Sequence, residues 1–194
     1  MSKLTHIMID LETRGNVAGC GIVSFGAVVW DPHTGALGDE FYRIVNHASN
    51  EQAMLFDVPS TMAWWKKQSP EARKALEASE ANEGHHISDV LREFHDFAMA
   101  ASGHLKSKVR IWGNGADFDS PIVQSAWLAV YPTIDFPFPW GNRCYRTIKN
   151  LGELFGGPEL PKMARTGTHH NALDDAKSQA AHMTAILQHI TGSW

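Results

Sequence analysis

The chain predicts an α/β domain with a mixed central sheet flanked by helices. Two observations carry that expectation. Three apolar, strand-like stretches stand close together near the start, joined by short turns, as in an antiparallel meander. Helical stretches then alternate with further strand, which makes the sheet mixed. Sites in such sheets collect at strand ends, and three acidic segments fall there.

Leu4 to Leu11 (LTHIMIDL) is rich in aliphatic residues and reads as a buried strand. Residues 13–20 are Gly-rich and loop-like. Ile22 to Trp30 is a second apolar strand, and DPHTG at 31–35 is a hairpin turn. Glu40 to Val45 is a third strand. Ser60 to Trp65 opens a helical region with Ser60 as N-cap. Ser69-Pro70-Glu71 starts another helix, running through Glu77: Ser caps, Pro suits the first turn, and Glu favours the positive end. Ile87 to Ala100 places Val90, Leu91, Phe94 and Phe97 at helical spacing, with Ser88 as cap. Val109 to Trp112 is a fourth strand, ended by Gly113-Asn114-Gly115. Ser120-Pro121 begins a helix to about Val130. Residues 131–142, rich in Pro and aromatics, read as irregular. Tyr145 to Phe155 favours helix, 156–169 is a loop, and Asn171 to Ile190 is the closing helix.

The 194 residues show no repeat, low-complexity tract or composition break, so 1–194 is read as a single domain. Hydrophobic content of 43% and charged content of 20% are ordinary for a globular chain. Met1 to Asp10 lacks the pattern of a signal peptide, and no apolar run approaches the roughly 20 residues that span a bilayer. A cytoplasmic protein with no membrane partner is expected. Cys20 and Cys144 lack zinc-type spacing and are expected as buried or reduced thiols. The formal net charge of −4 argues against coating nucleic acid by charge alone. It does not exclude an enzyme gripping one strand end, where bound cations would add positive charge.

The chemistry lies in Asp10 and Glu12 (IMIDLET), Asp119 (NGADFDSP), and His170 with Asp175 (HHNALDD). Asp10 and Glu12 are two apart on a strand, so both carboxylates share one face while Leu11 points away. The bland alternative is a strand end with solvated acids. Asp117 competes with Asp119, either of which would serve in a turn leading into a helix. His169 and Asp174 have the same separation as His170 and Asp175. The closing helix favours Asp175: with Leu173, Ala176, Ala180, Met183 and Leu187 as the apolar stripe, Asp175 lies on its flank and Asp174 nearly opposite. Adjacent Trp64 and Trp65 point in different directions, so one belongs to the core and the other could stack on a base near Lys66 or Lys67.

This ordered set resembles the DEDD exonucleases of the ribonuclease-H-like superfamily, in their histidine-bearing subgroup. WWKKQSPEAR, residues 64–73, looks like the branch holding phage exodeoxyribonuclease A and mycobacterial-type exoribonucleases. The resemblance implies 3′→5′ hydrolysis of single-stranded DNA or RNA ends, DNA favoured, with release of nucleoside 5′-monophosphates. It implies two divalent ions, Mg²⁺ or Mn²⁺, held by Asp10, Glu12, Asp119 and Asp175. His170 would deprotonate the attacking water. Leu11, Thr13, Asn114, Phe118 and Trp65 would meet substrate, and a homodimer is expected by analogy. A phosphodiesterase for very short oligonucleotides and a non-catalytic nucleic-acid-binding module are the alternatives.

Overall fold

The computed structural model describes residues 5–157 and 159–192, so Leu4 of the expected first strand lies outside the described residues. Five strands form one sheet: β1 (Thr5–Thr13), β2 (Ile22–Trp30), β3 (Leu37–Ile44), β4 (Val109–Gly113) and β5 (Asn142–Cys144). Their spatial order is β3-β2-β1-β4-β5. β1–β2 and β2–β3 are antiparallel; β1–β4 and β4–β5 are parallel. The helices are α1 (His47–Gln52), α2 (Pro59–Trp65), α3 (Pro70–Glu80), α4 (Ile87–Ala101), α5 (Asp119–Val130), α6 (Tyr145–Phe155) and α7 (Ala172–Thr191). None is long and apolar enough to cross a membrane among the described residues.

The period-2 alternation of β1 feeds two cores. Ile7, Ile9 and Leu11 enter a large cluster with Val90, Leu91 and Phe94 of α4 and Ile122 and Val123 of α5. Met8, on the opposite face, packs with Ala176, Ala180 and Met183 of α7. Each fully buried aliphatic side chain contributes about 1.5–3 kcal/mol. Asp10 and Glu12 follow Met8 in the same alternation, so the face that docks α7 becomes acidic as the strand ends.

The docking is unusually close at one point. Gly26 pairs with Asp10 across the β1–β2 ladder, and a Cβ on Gly26 would run into the backbone of Ala172 and Leu173. Ala172, Ala176 and Ala180 are wholly buried, giving α7 a narrow face toward the sheet. Without a side chain on Gly26, the first turn of α7 lies directly beside Asp10.

Several elements differ from the sequence reading. Asn142–Cys144, within and beyond the stretch read as irregular, pairs in parallel with Ile111–Gly113; three residues are too few for a periodic signal. The helix His47–Gln52 has no apolar stripe and was not expected. Its cap is Asn46, whose side chain accepts from Ser49 N at 2.8 Å. Ser60 is no cap, because α2 begins at Pro59 after Val58 with no side-chain capping bond. His86, rather than Ser88, precedes α4 and accepts from Ser88 N. Ser69 does cap α3, accepting from Ala72 N at 3.3 Å.

Gly26→Ala is expected to cost about 1–3 kcal/mol, as overpacking does, read as a lower urea midpoint at unchanged m-value. An unshifted midpoint would mean that α7 retreats from β2 without loss.

Candidate active site

The end of β1 and the start of α7 bring three acids together. Carboxylate oxygens of Asp10, Glu12 and Asp175 all lie within 4.8 Å of one another. Glu12 and Asp175 are buried and Asp10 is half-buried. Asp175 owes its place to the narrow docking face of α7. It lies one residue before Ala176, while Asp174 turns outward and accepts from Thr168 N at 2.8 Å.

Asp119 lies alongside, at the start of α5, and is wholly buried. Its Oδ1 accepts from Leu11 N at 3.1 Å and its Oδ2 from Asn114 N at 2.7 Å. Gly113 makes room, since a Cβ there would meet the Asp119 side chain at 2.8 Å. Asp119 is not one of the three converging groups; it acts on Asp10 through its charge. Asp117, its competitor, is exposed.

His170 stands next to two of these acids. Its Nδ1 stands 3.7 Å from Glu12 Oε1, and its backbone N–H donates to Asp175 Oδ2 at 3.0 Å. The backbone there is left-handed, φ 63°, an uncommon conformation for a non-Gly residue that re-aims the ring at the end of its loop. His169 lies against His170, with ring centroids 3.8 Å apart and planes tilted by 31°, but is itself exposed.

Burial and neighbouring charge act on Asp10, Glu12 and Asp119. Burial pushes the Asp10 carboxyl well above the ordinary range, and the charges of Asp119, Glu12 and Asp175 push further in the same direction. Glu12 is raised by burial despite the neighbouring His170. Asp119 is raised to about 7 by burial, against the backbone donors it accepts from. His170 is raised chiefly through Glu12. Two further groups partly compensate. Gln179 Nε2 donates to Asp10 Oδ1 at 2.7 Å, and Arg165 Nη1 meets Asp175 Oδ1 at 2.5 Å. Hard oxygen donors, clustered and short of positive charge, fit a divalent cation of the Mg²⁺ or Mn²⁺ type. His169, His170 and Asp175 form a second group of compatible spacing that shares Asp175.

These groups line an open cleft of about 270 Å³, along with Asn114, Phe118, Trp64 and Thr61. A larger hollow of about 410 Å³ near His6 and Trp30 has Asp31 as its one acid among the described residues, so it offers no comparable charge cluster. Of the expected substrate contacts, Asn114 and Phe118 reach the cleft with partly exposed side chains. Leu11 borders it too, but belongs to the apolar core. Thr13 spends its hydroxyl on Gly15 O at 2.5 Å. Trp65 also lines the cleft but is only 1% exposed: its Nε1 donates to Thr13 O, and it packs with Val23, Ala75 and Leu76. The ring with a free face is Trp64, 41% exposed and edge-on to His170 at 5.1 Å. Lys66 lines a separate hollow with Glu77 and Glu80.

The sequence reading missed Gln179, Arg165 and Arg146, whose Nη2 holds Asn114 O at 2.7 Å. Gln179 did carry a signal, because it is four residues after Asp175 and so shares its helix face.

Residues 5–187 match the family described as the 3′-5′ exoribonuclease Rv2179c-like domain. An exodeoxyribonuclease of Enterobacteria phage T4 is 30% identical over 124 residues, covering 60% of this chain; the chain spans about half, 52%, of that curated relative. Among solved structures, E. coli Exonuclease I in complex with a dT13 oligonucleotide superposes with TM-score 0.66 at 14% identity, covering 98% of this chain and 42% of that one. The nuclease domain of 3′hExo, a DEDDh family member bound to rAMP, gives TM-score 0.62 at 16% identity, covering 95% and 92%. The ribonuclease-H-like exonuclease fold expected from the sequence is the fold observed.

An acid whose folded pKa exceeds its unfolded value binds its proton more tightly when folded. Its stabilising contribution is therefore present at low pH and lost as pH rises through the folded pKa. Asp119, raised from 3.8 to about 7, loses its contribution across that range, and Asp10 and Glu12, also raised, act in the same direction. His6, lowered to about 4 by burial, opposes it, but does so with or without a cation in the cleft. The difference in Tm between Mg²⁺-loaded and metal-free protein is therefore expected to widen as pH is raised from about 5 to about 8. A difference independent of pH would show that these carboxylates do not hold the cation.

Proposed function

This chain belongs to the 3′-5′ exoribonuclease Rv2179c-like domain family, and from that premise we propose that it is a metal-dependent 3′→5′ exonuclease. In this reading it hydrolyses the terminal phosphodiester of single-stranded DNA or RNA and releases nucleoside 5′-monophosphates. One observation carries it: three carboxylates converge within 4.8 Å while His170 stands over Glu12 on the cleft side. That pairs a cation site with a base, as water attack on phosphorus requires.

Asp10, Glu12 and Asp175 would hold the ions, with Asp119 supplying charge behind Asp10. When bound, Mg²⁺ or Mn²⁺ lowers the pKa of a water and offsets charge on the leaving 3′ oxygen. Because Nδ1 of His170 faces the Glu12 carboxylate, it keeps its proton there, and Nε2 is left to accept one from the attacking water. The new bond is water oxygen to phosphorus and the broken bond is phosphorus to O3′. The shortened strand keeps a 3′ hydroxyl, protonated from solvent. The exposed Trp64 ring offers a face for a terminal base. Free thiols at Cys20 and Cys144 support a reducing, cytoplasmic setting. Adjacent exposed Leu154 and Phe155 on α6 support a homodimer.

The test is digestion of matched 5′-labelled single-stranded DNA and RNA oligomers with Mn²⁺. A ladder shortening from the 3′ end is expected, and its relative rates name the preferred sugar. Asp10→Ala should abolish the ladder without lowering Tm, because it relieves a buried acid repelled by its neighbours. His170→Ala should slow cleavage by about 10²–10⁴-fold. Intact strands with both sugars, or full activity in Asp10→Ala, would overturn the proposal.

A further inference from the structure

Arg165 is the one Lys or Arg among the described residues lining the acid cleft. Its Nη1 lies 2.5 Å from Asp175 Oδ1, and the other Asp175 oxygen already accepts from the His170 backbone. A guanidinium at that distance and a divalent cation repel each other, so both cannot use Oδ1 at once. The pair is made to be broken: the Arg165 side chain is 47% exposed, so the bond is weak and screened. The buried Arg14 is the contrast. It is 4% exposed and fixed to Asp57 by two bonds of 2.6 and 2.7 Å. The loop around Arg165 is anchored, with Thr166 N bonded to Ser178 Oγ at 3.1 Å and Thr168 N to Asp174 Oδ2 at 2.8 Å. The side chain can therefore swing while the backbone stays.

We propose that Arg165 is an exchangeable counter-ion, holding Asp175 until a divalent cation displaces it and then pairing with a phosphate oxygen of the bound strand. The first half rests on the acid cluster being a cation site, and the second on the exonuclease reading. The planar guanidinium fork suits a phosphodiester, and no other Lys or Arg of the described residues lines this cleft to meet one. Arg165 is thus a positioning residue with two partners of the same charge, used in sequence.

The two halves predict effects of opposite sign, which a folding defect does not produce. In calorimetric titration of the full chain with Mn²⁺ alone, Arg165→Gln is expected to bind about threefold to fivefold tighter than wild type, having lost its competitor. Arg165→Lys, which keeps the charge, should stay near wild type. In a His170→Ala background, where cleavage is slowed, Arg165→Gln should weaken binding of a fluorescent single-stranded oligomer read before the strand is cut. The slope of log K against log salt should also fall by about 0.7, one phosphate contact. Unchanged or weaker Mn²⁺ binding in Arg165→Gln overturns the proposal. Tighter Mn²⁺ binding with unaltered strand binding overturns its second half. Tighter Mn²⁺ binding with no strand bound by any variant supports the counter-ion half and counts against the exonuclease reading instead.

Discussion

Everything in the cleft depends on one close approach, the first turn of α7 lying on β2 at Gly26, directly across the ladder from Asp10. Strand β1 alone can offer two carboxylates on a face; it cannot bring a third. The missing side chain at 26 and the row Ala172, Ala176, Ala180 let a helix backbone reach the sheet where the acids are. Asp175 and Gln179 then meet Asp10 and Glu12 as a matter of helical pitch. Core packing and site assembly are one contact here, with Met8 and Met183 continuing it inward.

That contact sets up an electrostatic conflict. Like charges are drawn together in a partly dry place, and each raises the proton affinity of the next. The fold relieves the strain with whatever positive or polar groups it has nearby: the Gln179 amide, the Arg165 guanidinium, His170, and backbone N–H groups on Asp119. Arg165 brings the one full positive charge of that set against four acidic groups, so the cleft keeps an affinity for a small, hard cation. The net charge of −4 thus understates how positive the working surface becomes.

Much of this was legible in the residues. The apolar runs of β1 and β2 and the stripe on α7 are strong periodic signals, and they placed Asp175 over Asp174 without any structure. Other features lie beyond local pattern. Asp119 is favoured over Asp117 in sequence for lying closer to the helix start and by the resemblance; what buries it is the space that Gly113 leaves beside it, a tertiary fact. β5 has three residues and draws its existence from β4. Trp64 and Trp65 differ by a 100° turn on a short helix, so the core ring and the exposed ring are separable only once α3 is packed. Gln179 bonds a residue 169 positions away, although its four-residue step from Asp175 was there to be read.

The two backbone bonds of Asp119 make it a splice as well as an acid. The β1–β4 ladder stops at Met8 and Trp112; beyond it the strands part, and the Asp119 carboxylate reaches across the gap from Leu11 N to Asn114 N. A descendant that abandoned catalysis would be free to lose Asp10 or Glu12, whose removal relieves repulsion. Losing Asp119 would untie the end of β1 from the turn after β4. Decay of this site would therefore run in a definite order, and a chain retaining only its Asp119 counterpart would be read as a fossil of the fold, not as a remnant of the enzyme.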